Sequence, residues 1–180
     1  MIAERERAGL LAIARNAIAR SLGQSASASP DPPAARDLRA GAFVTLHADG
    51  ELRGCIGHIG SDRPLSDVVA WCAVSAASRD PRFPPVTAGE LPQLDIELSV
   101  LGPLEIVNRL EEIEIGRHGP LLESGRRRGL LLPQVATEWG WDAATFLAQT
   151  CRKAGLPPDA WPQGGATLYL FDAEVFGEPR

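Results

Sequence analysis

The sequence predicts an α+β fold with two similar β-hairpin/α/β repeats forming one mixed, largely antiparallel sheet with packed helices. Three observations carry that reading: two hairpin signals, a helix after each of them, and the same order of elements met twice along the chain. Hairpins with helices inserted between them favour antiparallel or mixed pairing over a doubly wound parallel sheet. At 180 residues the chain can bury a sizeable core as one domain or as two intimately packed halves. We read a single domain over 1–180, with an N-terminal helix at 3–22, a mobile loop at 23–38 and two internal repeats at about 41–101 and 113–176.

The first helix rests on a run rich in Ala, Leu, Ile, Glu and Arg in which Leu11, Ile18 and Leu22 recur near helical period, with Gly23 as its stop. The stretch from Gln24 to Pro33 is Ser/Ala/Pro-rich, with no means of burying itself. Gly41 to His47 is a β-prone run, and Ala48-Asp49-Gly50-Glu51 connects it to the next; Asp-Gly supplies the positive φ angles of a type I′ turn. With Asp49 and Gly50 as turn residues, Val44 falls opposite Cys55 and Leu46 opposite Arg53, and alternation puts Arg53 and Cys55 on one face with His58 on the other. Pro64 then opens a helix to Ser78 whose Leu65, Val68, Val69, Cys72 and Ala76 share one face, which makes Cys72 core. Prolines make 79–86 irregular. Leu94 to Val100 alternates without a break, leaving Asp95, Glu97 and Ser99 opposite its apolar side, and Leu104 to Val107 continues the sheet.

The second half repeats this order. A hairpin turns at Ser124-Gly125, Asp142 caps a helix from Ala143 to Ala154 with Cys151 on its inner face, and the chain returns to strand from Ala166 to Phe171. Gly54 lies four residues beyond Gly50 as Gly129 lies four beyond Gly125, so we infer a weak internal duplication. Trp139, Trp141 and Trp161 flank this second helix and read as core or lid anchors.

Chemistry concentrates in Leu52 to Gly60, where Arg53, Cys55 and His58 sit among Gly54, Gly57 and Gly60. Glycine weakens a strand, so this density marks a bulge or a close approach by a ligand or another backbone. A neighbouring Arg stabilises a thiolate. Against that, a free cysteine is commonly a small buried hydrophobe. The segment Asp80 to Pro85 adds Asp80 and Arg82 as a rigid, charged candidate pocket wall, although a salt-bridged surface turn is the commoner outcome.

Composition narrows the function classes. A formal net charge of -5 argues against non-specific nucleic-acid binding, and Arg126 to Arg128 reads as a solvated turn. No apolar run approaches a bilayer span and the N-terminus lacks a secretion signal, so the expected location is the cytoplasm. Three cysteines without Cys-x-x-Cys spacing fit a reducing compartment and give no zinc framework. Cys55, His58, His118, Asp95 and Glu97 are suitable metal ligands in type, but no spacing gathers them, and we assign no metal. Gly54, Gly57 and Gly60 form no phosphate loop, for lack of the Walker lysine and the strand-to-helix setting. No cofactor is assigned.

Taken together, Phe43 to Leu46, Leu52 to Gly57, Asp80 to Pro85, Ile115 to Gly119, Gly129 to Ala136, Gly140 to Asp142 and Cys151 to Pro157 closely resemble the AmmeMemoRadiSam system protein A family, from about Gly41 to Phe176. The resemblance implies an α+β fold of two similar repeats and no settled reaction. It implies Memo-like and radical-SAM proteins as functional partners. It makes the Leu-Arg-Gly-Cys-Ile-Gly motif a candidate catalytic element, carried here onto Arg53 and Cys55, with His58 just past it.

Two readings follow. In one the chain is an enzyme or ligand-binding protein for a small molecule, with Cys55 as nucleophile or redox thiol, Arg53 supporting it, and His58 or His118 as base; Asp80, Arg82, Arg117 and His118 are the candidate substrate-binding groups. In the other it is a non-catalytic partner that presents the glycine-rich strand and the segment from Asp80 to Pro85.

Overall fold

In the computed structural model, which describes residues 2–26, 38–60 and 62–178, the chain divides into two compact units: Met1–Leu101 with Glu174–Arg180, and Gly102–Ala173. The greater part of the expected mobile loop, 27–37, lies outside the described residues.

The first unit is built on helix α1 (Glu4–Ser21), strands β1 (Ala42–Ala48) and β2 (Glu51–His58), helix α2 (Leu65–Ser78) and strand β3 (Leu94–Leu101). Leu10, Ala14 and Ile18 on one side of α1 are fully buried, and α1 packs on α2, which covers β1 and β2. The apolar face read for α2 is the buried one, Cys72 included, and it meets Val44, Leu46, Ile96 and Leu98 in one core. The strand order is β2-β1-β3, antiparallel, with β2 at the edge. Arg15 ties α1 down by donating to the carbonyl of Leu91 at 2.8 Å and pairing with Glu178, whose carboxylate also accepts the Ile96 amide at 3.0 Å.

Asp49 and Gly50 both have positive φ, 52° and 83°, as the type I′ turn requires. The register beyond the turn differs from the one expected. Ala48 pairs with Glu51 and His47 with Leu52, but Leu46 then pairs with Gly54, Thr45 with Cys55 and Val44 with Ile56. Arg53 is the extra residue of a β-bulge; one residue inserted on one strand displaces every later pair by one. Cys55 therefore faces Thr45 and not Val44.

The second unit holds β4 (Glu105–Val107), β5 (His118–Ser124), β6 (Arg127–Leu130), helices α3 (Pro133–Trp139) and α4 (Ala143–Lys153), and most of β7 (Thr167–Gly177). Its strand order is β4-β7-β5-β6, again antiparallel. The Asp142 carboxylate accepts the Thr145 amide at 2.8 Å and caps α4 as expected. Phe146, Cys151, Leu122 and Leu168 are fully buried in its core. Helix α3 was not expected, and Trp139 at its end is no core anchor: it is 69 % exposed and stacks on Trp141, with ring centroids 5.9 Å apart. Trp141 and Trp161 are part-buried against the core, as expected.

In each unit a hairpin is followed by a helix and then by a strand that returns beside the hairpin's first strand, giving β2-β1-β3 and β6-β5-β7. In each, a glycine of the second hairpin strand lies against the end of the helix. A Cβ on Gly54 would run into the carbonyl oxygen of Ala76, and one on Gly129 into the backbone of Ala154. The topology is thus shared, while a duplication in sequence remains our inference from the spacing. No helix among the described residues is long and apolar enough to cross a membrane.

Candidate functional site

Cys55 is half-buried on β2, whereas Cys72 and Cys151 are fully buried. Burial pushes the Cys72 thiol up to about 12 and raises that of Cys151. The sulfur of Cys55 accepts a hydrogen bond from the Thr45 hydroxyl at 3.4 Å, across the strand pair that the bulge created. Because β2 is an edge strand, its outward N–H groups have no strand to pair with. For Cys55 that partner is Asp80, whose carboxylate accepts the amide at 2.9 Å.

Asp80 follows directly on the end of α2 and is 4 % exposed. Its carboxylate is forked by Arg82, with Nε on one oxygen at 2.9 Å and Nη2 on the other at 2.7 Å, and it also accepts the Arg82 amide at 3.1 Å. The Arg82 guanidinium, more than the Cys55 and Arg82 amides, holds the Asp80 carboxyl well below the usual carboxylate range, against the opposing effect of burial. Asp80 and a Cys55 thiolate both favour the charged form of Arg82. Half of the Arg82 side chain stays exposed, 54 %, so its charge remains open to a solute.

The structure thus brings together Cys55, Asp80 and Arg82 and adds Thr45, which sequence reasoning missed. With Arg53 in the regular pleat, Thr45 does not face the thiol; the bulge is what places it there, and the only signal in the sequence was the density of glycines. Arg53 itself is turned elsewhere. Its Nε donates to Glu90 at 3.0 Å and its Nη1 to the Pro84 carbonyl at 3.0 Å, so it fastens the proline segment to β2. His58 sits by Asp62, 3.3 Å away, and meets the Trp71 ring edge-on at 6.2 Å. With Arg63 and Val68 these two rings line a recess of about 200 Å³. His58 lowers the Asp62 carboxyl below its ordinary value.

Arg117 and His118 belong to the second unit. Arg117 pairs with Glu114 at 3.1 Å and with Asp172 at 3.4 Å. His118 Nδ1 lies 3.1 Å from the Glu114 amide and 3.0 Å from the Glu112 carbonyl, and its Nε2 lies 3.6 Å from Asp172. A cleft of about 460 Å³ in the same unit, lined by Leu110, Leu147, Pro158 and Trp161 among others, contains none of the candidate residues. No three His, Cys, Asp or Glu side chains gather as a metal site among the described residues.

Two of the motif glycines are explained by the chain's own packing. Gly54 admits the end of α2, as above, and Gly57 is covered by the Phe43 ring. The close approach read from glycine density is therefore intramolecular at both.

Comparison with known proteins places this architecture. The AMMECR1 family model matches residues 11–176. The chain belongs to the AMMECR1 family. Among curated members, a protein of Methanothermobacter thermautotrophicus is 48 % identical over 177 residues, 94 % of this chain and 92 % of that protein. Protein MK0488 of Methanopyrus kandleri is 46 % identical, over 94 % of this chain and 86 % of that one. The solved structure of the uncharacterised protein PH0010 from Pyrococcus horikoshii has the same fold, with a TM-score of 0.86 at 42 % identity, covering 95 % of this chain and 90 % of that chain.

Proposed function

We propose that this AMMECR1-family chain acts on or holds a small anionic molecule at Cys55, with Cys55 as the reacting sulfur and Arg82 as the cation that receives the anion. The observation that carries this reading is the fork of Arg82 on the buried carboxylate that also binds the Cys55 amide. Asp80 spends its charge fixing two things in register, the backbone under the thiol and the guanidinium beside it. Asp80 occupies the Nε/Nη2 edge of that guanidinium, so an incoming carboxylate or phosphate meets its remaining Nη1 side, and positive charge near a thiol favours the nucleophilic thiolate. Arg53 then serves as a strut for the proline segment. His58 (beside Asp62), Arg117 and His118 have no role in this reading.

The test compares two alkylating agents of nearly equal size, iodoacetate and neutral iodoacetamide. Relative to N-acetylcysteine, Cys55 should react with iodoacetate at least about threefold faster than with iodoacetamide, and Arg82→Gln should abolish that preference. Equal or reversed preference in the unaltered protein, measured by mass spectrometry of the Cys55 peptide, would contradict an anion site.

The second reading, a non-catalytic partner for Memo-like and radical-SAM proteins, draws support from the half-exposed Arg82 beside Phe83, Pro84 and Pro85. Gly54 and Gly57 are already covered, so the contact surface in that reading is the proline segment. Capture of a radical-SAM or Memo-like protein that survives Cys55→Ala and is lost on Arg82→Glu is the result that favours it over the thiol site.

A further inference from the structure

The bulge at Arg53 places one further group on the sulfur, and the sheet face around it is not hydrogen-bonded to completion. Strand alternation puts Cys55 on β2, Thr45 on β1 and Glu97 on β3 in one row, with Gly57, Phe43 and Ser99 in the next row of the same face. The Cys55 amide goes outward to Asp80 rather than across to β1. A pair whose amides point away from each other is the closely spaced kind in an antiparallel ladder, and its side chains approach nearest. That is why a Thr hydroxyl reaches the sulfur at 3.4 Å. Two strands in, the Ser99 side chain is buried at 1 % exposure and its hydroxyl has no hydrogen-bond partner. A buried hydroxyl left unpaired is costly.

We propose that Thr45 is the positioning residue of the Cys55 site: its hydroxyl donates to the sulfur, stabilises the thiolate and orients it over the face on which Ser99 retains an unmet hydrogen bond. This deepens the thiol reading and rests on it. A hydroxyl proton aimed at sulfur favours the anion over the neutral thiol. In the reaction used to read it, the thiol gives its proton to water, the sulfur lone pair forms the bond to the methylene carbon of iodoacetamide, and iodide leaves with the pair of the broken C–I bond.

The experiment follows the rate of Cys55 alkylation by iodoacetamide from pH 6 to pH 9 in the unaltered protein, in Thr45→Val and in Thr45→Ser. Thr45→Val keeps the β-branched shape and removes the donor; it should slow alkylation about five- to tenfold at pH 7 and move the midpoint of the pH profile upward. Thr45→Ser should restore both to within about twofold. Thermal unfolding is followed in parallel, and Ser99→Ala should not lower the unfolding midpoint, since that hydroxyl has no partner to lose. If the unaltered protein does not react at Cys55, the thiol reading itself fails. If it reacts and Thr45→Val matches it in rate and midpoint while remaining folded, Thr45 is structural and this inference alone is overturned. A fall in both valine and serine variants would also overturn it, because the hydroxyl would then not be the cause. A drop in midpoint for Ser99→Ala would show that this hydroxyl is paired after all and would overturn that part of the proposal.

Discussion

Asp80→Asn should lower stability by about 2–3 kcal/mol, read as a shift in the urea midpoint, and should slow alkylation of Cys55 in the same variant. The carboxylate is nearly inaccessible and meets three donors besides the second Arg82 nitrogen, so an amide in its place keeps at most part of the set and turns an NH₂ toward a guanidinium or an amide proton. The Arg82 side chain is 54 % exposed, and solvent screening on that side keeps the expected loss well below that of a fully buried pair. The pH dependence has a definite sign. A carboxyl whose folded pKa is depressed contributes stability that is complete above its unfolded value, near 3.9, and that drains away as pH falls below it toward the folded value. The unaltered protein should therefore lose stability below about pH 4 more steeply than Asp80→Asn, and the two curves should converge in acid. A difference that stays constant from pH 7 to pH 2 would show that the carboxylate's charge is not what is stabilising.

Gly129→Ala and Gly54→Ala should each cost about 2–4 kcal/mol or prevent folding. The added methyl at Gly129 meets the amide nitrogen and Cα of Ala154 and the carbonyl carbon of Lys153, all main-chain atoms that no rotamer change can move aside. At Gly54 it meets the carbonyl oxygen of Ala76. Gly125→Ala is the contrast. That glycine sits in a turn with φ of 60° and open space beyond it, so it pays only for backbone conformation, about 1 kcal/mol. Equal losses at 125 and 129, compared by urea denaturation, would mean that packing against the helix ends is not what the hairpin glycines provide.

These two sites show what was legible in the sequence and what was not. The hairpin at Asp49-Gly50, the buried face of α2, the cap at Asp142 and the apolar face of β3 rest on local rules of turn chemistry and period, and local rules suffice for them. The family was legible from motifs spread over most of the chain. The register past Leu46 was not, because a bulge leaves no mark on alternation until its extra residue is known. From that slip followed the pairing of Cys55 with Val44 in place of Thr45, while the expectation that Arg53 supports the thiol came from regular alternation, which the bulge at Arg53 interrupts. The charge beside Cys55 comes instead from Arg82, which is 27 positions away in sequence and is brought there by the end of α2 and the edge amide of β2. Glycine density was correctly read as close approach, but the partner at Gly54 and Gly57 is the chain itself.

The central claim is that the Cys55 sulfur is reachable and reactive while the other two thiols are not. The most direct measurement is limited alkylation of the native protein at pH 7 with iodoacetamide, followed by intact-mass counting and peptide mapping. The account predicts a single adduct, at Cys55, formed faster than on N-acetylcysteine, with Cys72 and Cys151 modified only after unfolding. No adduct on the native protein, or adducts spread over all three cysteines at one rate, would contradict it.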